Sequence, residues 1–264
     1  MTSDAERLSR QVASLLLKVA RPLVWHDRVG GWPKQLHNGT CFFLRFERTI
    51  VGVTANHVID LFESAVATNP YTVCQLSDLL GFDLLAAIIA RDPRRDIATF
   101  EVPEPALDRI GATPLDCRGD WPPPEPQPGQ VLSVCGFPEL MRIAGPYLAV
   151  EFGVWGAHPA VQGVTRDEIL ITFDPIIAEP ETWAAFPLVG SNLSGCSGGP
   201  AIMHTDLNGL HRWFPVALIA GGPREEEKQG AAGEFDMIRL RRIDSIRSDG
   251  SIEQLAEDTG WLPG

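Results

Sequence analysis

The most informative hexapeptide of the sequence is Gly-Cys-Ser-Gly-Gly-Pro, at residues 195–200. A nucleophilic serine needs its hydroxyl on a tight turn, with backbone N–H groups nearby to bind the oxygen that becomes negative during acyl transfer. Small residues around Ser197 let the backbone approach a substrate, and the N–H groups of Gly195 and Ser197 are candidate donors to that oxygen. Taken alone, this hexapeptide is also typical of a glycine-rich surface turn.

A candidate base lies upstream, where residues 51–58 read Val-Gly-Val-Thr-Ala-Asn-His-Val. His57 follows the apolar run Ile50–Thr54, which predicts a strand. A serine hydroxyl is a weak nucleophile until a base takes its proton, and a side chain at a strand end is held rigidly. A lone histidine is more often structural. The other five histidines lack comparable surroundings: His26, His37, His158, His204 and His211.

A carboxylate follows in Arg-Asp-Ile-Ala-Thr-Phe, at residues 95–100. Asp96 stands at the start of an apolar run, where it can orient a histidine and stabilise the imidazolium ion. The alternative interpretation is a simple strand-end cap. The chain order of the three groups is His57, Asp96, Ser197.

This order and the motifs around it resemble the trypsin-like (chymotrypsin-fold) serine peptidases, in their non-secreted bacterial form. The resemblance covers roughly residues 36–245. It is strongest at Thr54–His57, Asp96–Ala98 and Ser197–Pro200, with weaker matches at Gly39–Leu44 and Pro128–Pro138.

The resemblance implies an all-β protein of two antiparallel six-stranded barrels, with the site in the cleft between them. It implies a serine endopeptidase in which His57 is the base, Asp96 orients it and Ser197 forms an acyl-enzyme. The strand Ala217–Gly222 would form one wall of the specificity pocket, and a serine at its floor favours small or medium apolar residues. The implied pocket residues are Ser191, Ala220, Gly221, Gly222 and Gly233.

The sequence departs from the secreted members of that family at Cys196. Those enzymes carry an Asp before the nucleophile, which pairs with a new N-terminus after zymogen cleavage. Cys196 cannot make that ion pair, so we expect a site that is preformed or switched by a partner. A redox-sensitive thiol and a nucleophilic thiol are alternatives for Cys196, but a small buried residue is the favoured interpretation. Cys41 is expected near the site.

The rest of the chain is punctuated by Gly and Pro between short apolar runs. We expect a helical extension over residues 1–35, a first barrel over 36–115, a proline-rich linker over 116–130, and a second barrel with a C-terminal segment over 131–264. Apolar spacing predicts an amphipathic helix over residues 5–20 and a short terminal helix over 252–258. The predicted strands include Thr40–Phe46, Ile50–Thr54, Ile97–Val102, Val131–Cys135, Ile169–Phe173 and Val216–Ala220.

The composition excludes several classes of function. The chain has 264 residues and a formal net charge of −12, which argues against binding to nucleic acids or anionic membranes. No apolar run is long enough to span a bilayer. The five cysteines lack zinc-ligand spacing and are too sparse for a disulfide framework, so we expect no metal or cofactor and a cytoplasmic location.

Two alternatives to an active peptidase, whose substrate would be a protein or peptide, stay open. In the first alternative, the chain would be a catalytically silent peptidase-fold binding module. In the second, it would be an effector controlled by a partner protein. The helix containing Leu8–Val19 would dock such a partner. If the helix instead covers the protein's own apolar surface, its removal would destabilise the isolated protein.

Overall fold

The computed structural model describes residues 14–27, 36–144, 150–173, 193–207, 210–221 and 236–254. These residues are mostly β, in two large sheets and one hairpin. None of the helices in these ranges has the length and apolar character needed to cross a membrane. The first sheet contains β1 (Ala20–Asp27), β2 (His37–Arg45), β3 (Ile50–Thr54), β4 (Thr72–Leu76), β5 (Leu79–Leu80), β6 (Ile88–Asp92), β7 (Ile97–Glu101) and β8 (Leu115–Asp116).

The second half of the chain forms the hairpin and the second sheet. The hairpin pairs β10 with β11. The strands of this half are β9 (Leu132–Gly136), β10 (Arg142–Ala144), β11 (Val150–Phe152), β12 (Trp155–Ala157), β13 (Val161–Val164), β14 (Glu168–Phe173), β15 (Pro200–Leu207), β16 (Leu210–Gly221) and β17 (Asp236–Arg242). The helices are α1 (residues 14–19), α2 (Asn56–Thr68), α3 (Leu84–Ala87) and α4 (Glu104–Arg109), with a 3-10 turn at Glu139–Met141.

The two sheets share a set of neighbouring strands. Without the two-residue strands β5 and β8, the first sheet runs β4-β1-β2-β3-β7-β6. The second sheet runs β12-β9-β15-β16-β17-β14-β13. With the consecutive short strands β12 and β13 counted as one position and the six positions numbered along the chain, the neighbours 4-1-2-3-6-5 of the first sheet recur in the second, which also pairs β15 with β16.

The buried apolar residues form two cores. The first core is built around Phe42, Phe43 and Phe100, none of which is exposed, and also takes in Leu218 of β16. The second core contains Trp155 and other apolar residues from β9, β14 and β16. Aromatic and β-branched residues favour strands because their side chains pack well on a pleated surface. The six predicted strands each overlap an observed one, so the expectation of a mostly β protein is confirmed.

The predicted start of the first barrel, at residue 36, needs correction. The described part of the predicted helix ends at residue 19, and β1 begins at Ala20 and pairs with β2. The first sheet therefore starts at Ala20 and not at residue 36. Pro22 explains the change, since proline lacks an N–H and disfavours helical backbone in the residue before it.

Helix α2 is an element that the sequence analysis did not predict. It runs for 13 residues directly after β3 and buries Val58, Ile59 and Phe62 against the first core. These positions, with the partly buried Val66, follow helical spacing. The pattern was therefore present in the sequence.

The two ends of the described chain each pack on the opposite half. In α1, Leu16 is buried, its carbonyl oxygen lies 3.7 Å from the Cys135 Sγ of β9, and its side chain adjoins Gly156 of β12. At the other end, the Gly250 oxygen accepts a 2.6 Å hydrogen bond from Thr99 Oγ1 of β7.

Residues 246–253, in the predicted C-terminal segment, thus pack on the first half. The predicted helix over 252–258 is wrong where the structure describes it. Ile252 forms an isolated β-bridge with Ile246, and residues 253–254 have no regular structure. Residues 255–258 lie outside the described residues.

Candidate active site

His57 and Asp96 are joined by two hydrogen bonds. The His57 Nδ1 atom lies 2.8 Å from Asp96 Oδ2, and the His57 backbone N–H donates to Asp96 Oδ1 at 2.8 Å. His57 is in the first turn of α2, where a backbone N–H has no partner within the helix. The carboxylate of Asp96 therefore caps the helix and holds the imidazole with the same group.

This arrangement selects one tautomer of the imidazole. An ionised carboxylate only accepts hydrogen bonds, so the proton of neutral His57 is assigned to Nδ1. Nε2 then carries the lone pair that can take a proton. The His57 side chain is 38% exposed and that of Asp96 is 18% exposed, so a substrate can reach the imidazole while the carboxylate is largely covered.

Asp96 stands in a tightly built turn between β6 and β7. Its φ of +57° is in the left-handed region, which few residues other than glycine adopt. The Asp92 side chain accepts the N–H groups of Arg94 and Arg95. Arg95, which is buried, also donates to the Glu253 oxygen at 2.5 Å. These contacts fix the backbone that points Asp96 at α2.

A second group of hydrogen bonds holds the start of α2. Asn56, beside His57, is buried and accepts a 2.8 Å hydrogen bond from Arg91 Nε. Arg91 also pairs with Asp60 and Glu63 on the next turns of the helix. The sequence analysis did not single out Arg91 or Asn56, although Asn56 adjoins the candidate base.

The turn that contains Ser197 packs against the end of β3. The Ser197 oxygen accepts a 2.8 Å hydrogen bond from the N–H of Thr40. Gly198 has a φ of +87°, and a Cβ atom there would lie 2.1 Å from the Thr40 oxygen and 2.4 Å from Thr54 Oγ1. The structure thus brings Ser197 close to the segment that leads into His57. No hydrogen bond between described residues joins the Ser197 hydroxyl to the His57 ring.

The two predicted oxyanion donors are the N–H groups of Gly195 and Ser197. Among the residues that the structure describes, neither group donates to an acceptor. Gly195 has a φ of +94°. The neighbouring N–H groups are all bonded: Cys196 to the Leu193 oxygen at 2.9 Å, Gly198 to the Ile219 oxygen at 2.7 Å and Gly199 to the Cys196 oxygen at 2.9 Å.

Strand β16 continues beside this turn. The Ile219 N–H donates to the Gly199 oxygen at 2.8 Å, and the pairing of β16 with β15 ends at Leu218. Ala220 and Gly221, two of the predicted pocket residues, therefore extend past β15 next to the Ser197 turn. The other predicted pocket residues, Ser191, Gly222 and Gly233, lie outside the described residues.

Cys196 is buried in the second core and its thiol is free, as is that of Cys41. Cys196 packs on Gly136, where a Cβ atom would lie 2.8 Å from the Cys196 Cα. Burial raises the pKa of Cys196 well above its ordinary value. Its thiolate is therefore scarce at neutral pH, which favours a packing role over nucleophilic or redox-sensing roles.

No group of three His, Cys, Asp or Glu side chains within the described ranges is placed to hold a metal ion. The comparisons with known proteins add no identification: the chain matches no protein-family model and no curated protein.

Proposed function

We propose that this protein is a serine endopeptidase of the trypsin-like type, built from two six-stranded β-barrels. The proposal rests on one observation: Asp96 holds His57 at two points, and the Ser197 turn packs against the strand that leads into His57. The shared 4-1-2-3-6-5 strand order supports two equivalent barrels. So do the hydrogen bonds between residues 129–132 and 159–161, which join the start of β9 to the start of β13.

In the proposed reaction, the carbonyl oxygen of the substrate binds the N–H groups of Gly195 and Ser197. The Ser197 oxygen attacks the carbonyl carbon while His57 Nε2 takes the hydroxyl proton. The tetrahedral intermediate collapses, His57 gives that proton to the departing amine, and an acyl-enzyme forms. Water then repeats the sequence, again using His57 as base and acid, and frees Ser197. Asp96 stays ionised and stabilises the imidazolium ion.

The substrate would be an extended peptide. Ala220 and Gly221 offer a strand segment beyond the end of β15, beside the nucleophile. A peptide that adds to such a segment gains main-chain hydrogen bonds whatever its side chains are. The five cysteines are free thiols, which supports the proposed cytoplasmic location.

Labelling with a fluorophosphonate probe tests the proposal. An activated serine displaces fluoride and forms a stable phosphonyl ester, which mass spectrometry maps. We expect the label on Ser197, and none in Ser197→Ala or His57→Ala. The matched control is Ser133, which is buried with its Oγ 2.8 Å from His158 Nδ1. Ser133→Ala should leave the labelling of Ser197 unchanged.

A catalytically silent peptidase-fold binding module is the second candidate. The observation that favours it is the missing hydrogen bond between the Ser197 hydroxyl and the His57 ring. Such contacts are often loose in peptidases without substrate and tighten in the complex. Folded protein that takes no label at Ser197, either alone or in cell extract that could supply a switching partner, would establish the silent module and end the enzyme proposal.

A further inference from the structure

We propose that Arg142 is a positioning residue that holds the Gly195 N–H in the orientation needed to bind a substrate oxyanion. This inference rests on the proposed peptidase function. Arg142 opens β10, at the edge of the site, and belongs to none of the motifs that the sequence analysis used. Its side chain is only 17% exposed, and each of its three guanidinium nitrogens donates a hydrogen bond.

The peptide that carries the Gly195 N–H is held through its carbonyl oxygen. The carbonyl of this peptide is that of Ser194, whose oxygen accepts a 2.8 Å hydrogen bond from the Glu139 N–H. In a trans peptide the C=O and N–H groups point in opposite directions. The Glu139 N–H therefore aims the Gly195 N–H away from the 3-10 turn Glu139–Met141.

The next peptide, whose carbonyl is that of Gly195, is also held through its oxygen. Its oxygen accepts hydrogen bonds from Thr40 Oγ1 at 2.7 Å and from Asn38 Nδ2 at 3.4 Å. Asn38 Nδ2 also donates to the Phe137 oxygen at 2.7 Å. Both peptides that flank Gly195 are thus held by donors from outside the turn.

Arg142 joins these two sets of donors. Its Nε and Nη2 atoms donate to Asn38 Oδ1 at 2.8 and 2.5 Å, and Nη2 lies 2.6 Å from Glu139 Oε1. A guanidinium group has no acceptor, so it fixes Asn38 with its oxygen toward Arg142 and its NH₂ group toward Gly195. The Nη1 atom donates to the Leu36 oxygen, which anchors the guanidinium at the start of β2.

Gly195 needs this support because its backbone has little preference of its own. Glycine adopts positive and negative φ about equally readily, so nothing intrinsic keeps its peptides from rotating. The neighbouring Cys196 is buried and carries no charge that could form a stabilising ion pair. Loss of the guanidinium would remove both donors to Asn38 Oδ1 and leave the Asn38 amide held only through its NH₂ group, so its grip on the Gly195 oxygen would loosen.

The test compares second-order rate constants for fluorophosphonate labelling of Ser197 in the full-length protein. We expect Arg142→Met to react at least tenfold more slowly, since removal of one oxyanion donor in a comparable site lowers the rate roughly 10²–10³-fold. Arg142→Lys keeps the charge but lacks the fork that reaches Asn38 and Glu139 together, so its rate should be intermediate. Arg118→Met is the control, because Arg118 is half-exposed and pairs with Asp116 on the surface.

A purely structural role for Arg142 is distinguished by two further readouts. The low-field proton resonance of His57 Nδ1–H should be unchanged in Arg142→Met, since the contacts of Arg142 lie on the Gly195 side of the site. Millimolar guanidinium chloride should restore the labelling rate of Arg142→Ala and leave the Arg118→Met rate unchanged. If Arg142→Met does not fold, the labelling rate of Arg142→Lys tests the role of Arg142.

The outcomes separate the inference from the proposed function. Wild-type rates in folded Arg142→Met, or in Arg142→Lys where only that variant folds, overturn the role of Arg142 alone. Wild-type protein that is folded but takes no label at Ser197, either alone or in cell extract, overturns the proposed function, and the inference with it. A slow Arg142→Met with an unchanged His57 resonance, together with restoration of Arg142→Ala by guanidinium, supports both.

Discussion

Replacing Asp96 with asparagine removes one charge and one acceptor from the candidate site while keeping its size. The carboxylate serves two donors of His57, the backbone N–H through Oδ1 and the ring Nδ1 through Oδ2. A backbone N–H can only donate, so the single oxygen of the introduced amide must face it. The new NH₂ group then faces Nδ1 and requires a lone pair there, which moves the imidazole proton to Nε2.

The expected effect on reactivity is large and the effect on stability small. A base whose Nε2 already carries a proton cannot take one from Ser197. The corresponding change in the triad of the family that this chain resembles lowers the rate about 10⁴-fold, or roughly 5 kcal/mol of transition-state stabilisation. Both hydrogen bonds can still form in the new tautomer. The loss in unfolding free energy should stay below about 2 kcal/mol, a fall in Tm of at most about 8 °C.

The assay is the rate of fluorophosphonate labelling at Ser197, combined with ¹⁵N NMR of the His57 ring. The spectrum should show a protonated Nδ1 in the wild type and a protonated Nε2 in Asp96→Asn. Asp116→Asn is the control, because Asp116 pairs with Arg118 on the surface, where an ion pair contributes about 0–1 kcal/mol. A folded Asp96→Asn that labels within tenfold of the wild-type rate would refute the assigned role of Asp96.

Three further predictions concern the turn, its thiol and the N-terminal helix. Gly198→Ala should abolish labelling at Ser197 and lower Tm, because the added Cβ would lie 2.1 Å from the Thr40 oxygen at a left-handed φ; unchanged labelling would contradict this. Burial raises the pKa of Cys196, so iodoacetamide at pH 8 should leave that thiol unmodified in native protein; mass spectrometry checks the site. Leu16→Ala should lower the unfolding free energy by about 2–5 kcal/mol, measured by denaturant titration; an unchanged midpoint would show that Leu16 is not part of the core.

Much of the sheet structure was predictable because its strands combine β-branched and aromatic residues with clear boundaries. The run Ile50–Thr54 coincides with β3. The pairing of His57 with Asp96 also followed from the sequence, but only through the chain order of three separate motifs. Helix α2 was missed because its apolar spacing begins immediately after a strand and beside the more conspicuous histidine.

The support around Gly195 could not be predicted in the same way. Asn38, Thr40, Glu139 and Arg142 come from segments that are far from Gly195 in the sequence, and of these four only Thr40 lies in a stretch that resembles the family. Only the strand pairings and the 3-10 turn bring them to one place. The repeated strand order is equally hidden, because it depends on which strands pair and not on which residues they contain.

Each end of the described chain packs on the opposite half. The two halves are therefore held together by these contacts as well as by the covalent link between them. Leu16 of α1 lies against β9 and β12, and residues 246–253 lie against the first half. Residues 117–130, the single covalent link between the two sheets, contain no helix or strand. Proteolytic nicking within this link should therefore give two fragments that stay associated under native conditions and separate only in denaturant. The same fragments, expressed separately, are natural candidates for a split-protein reporter.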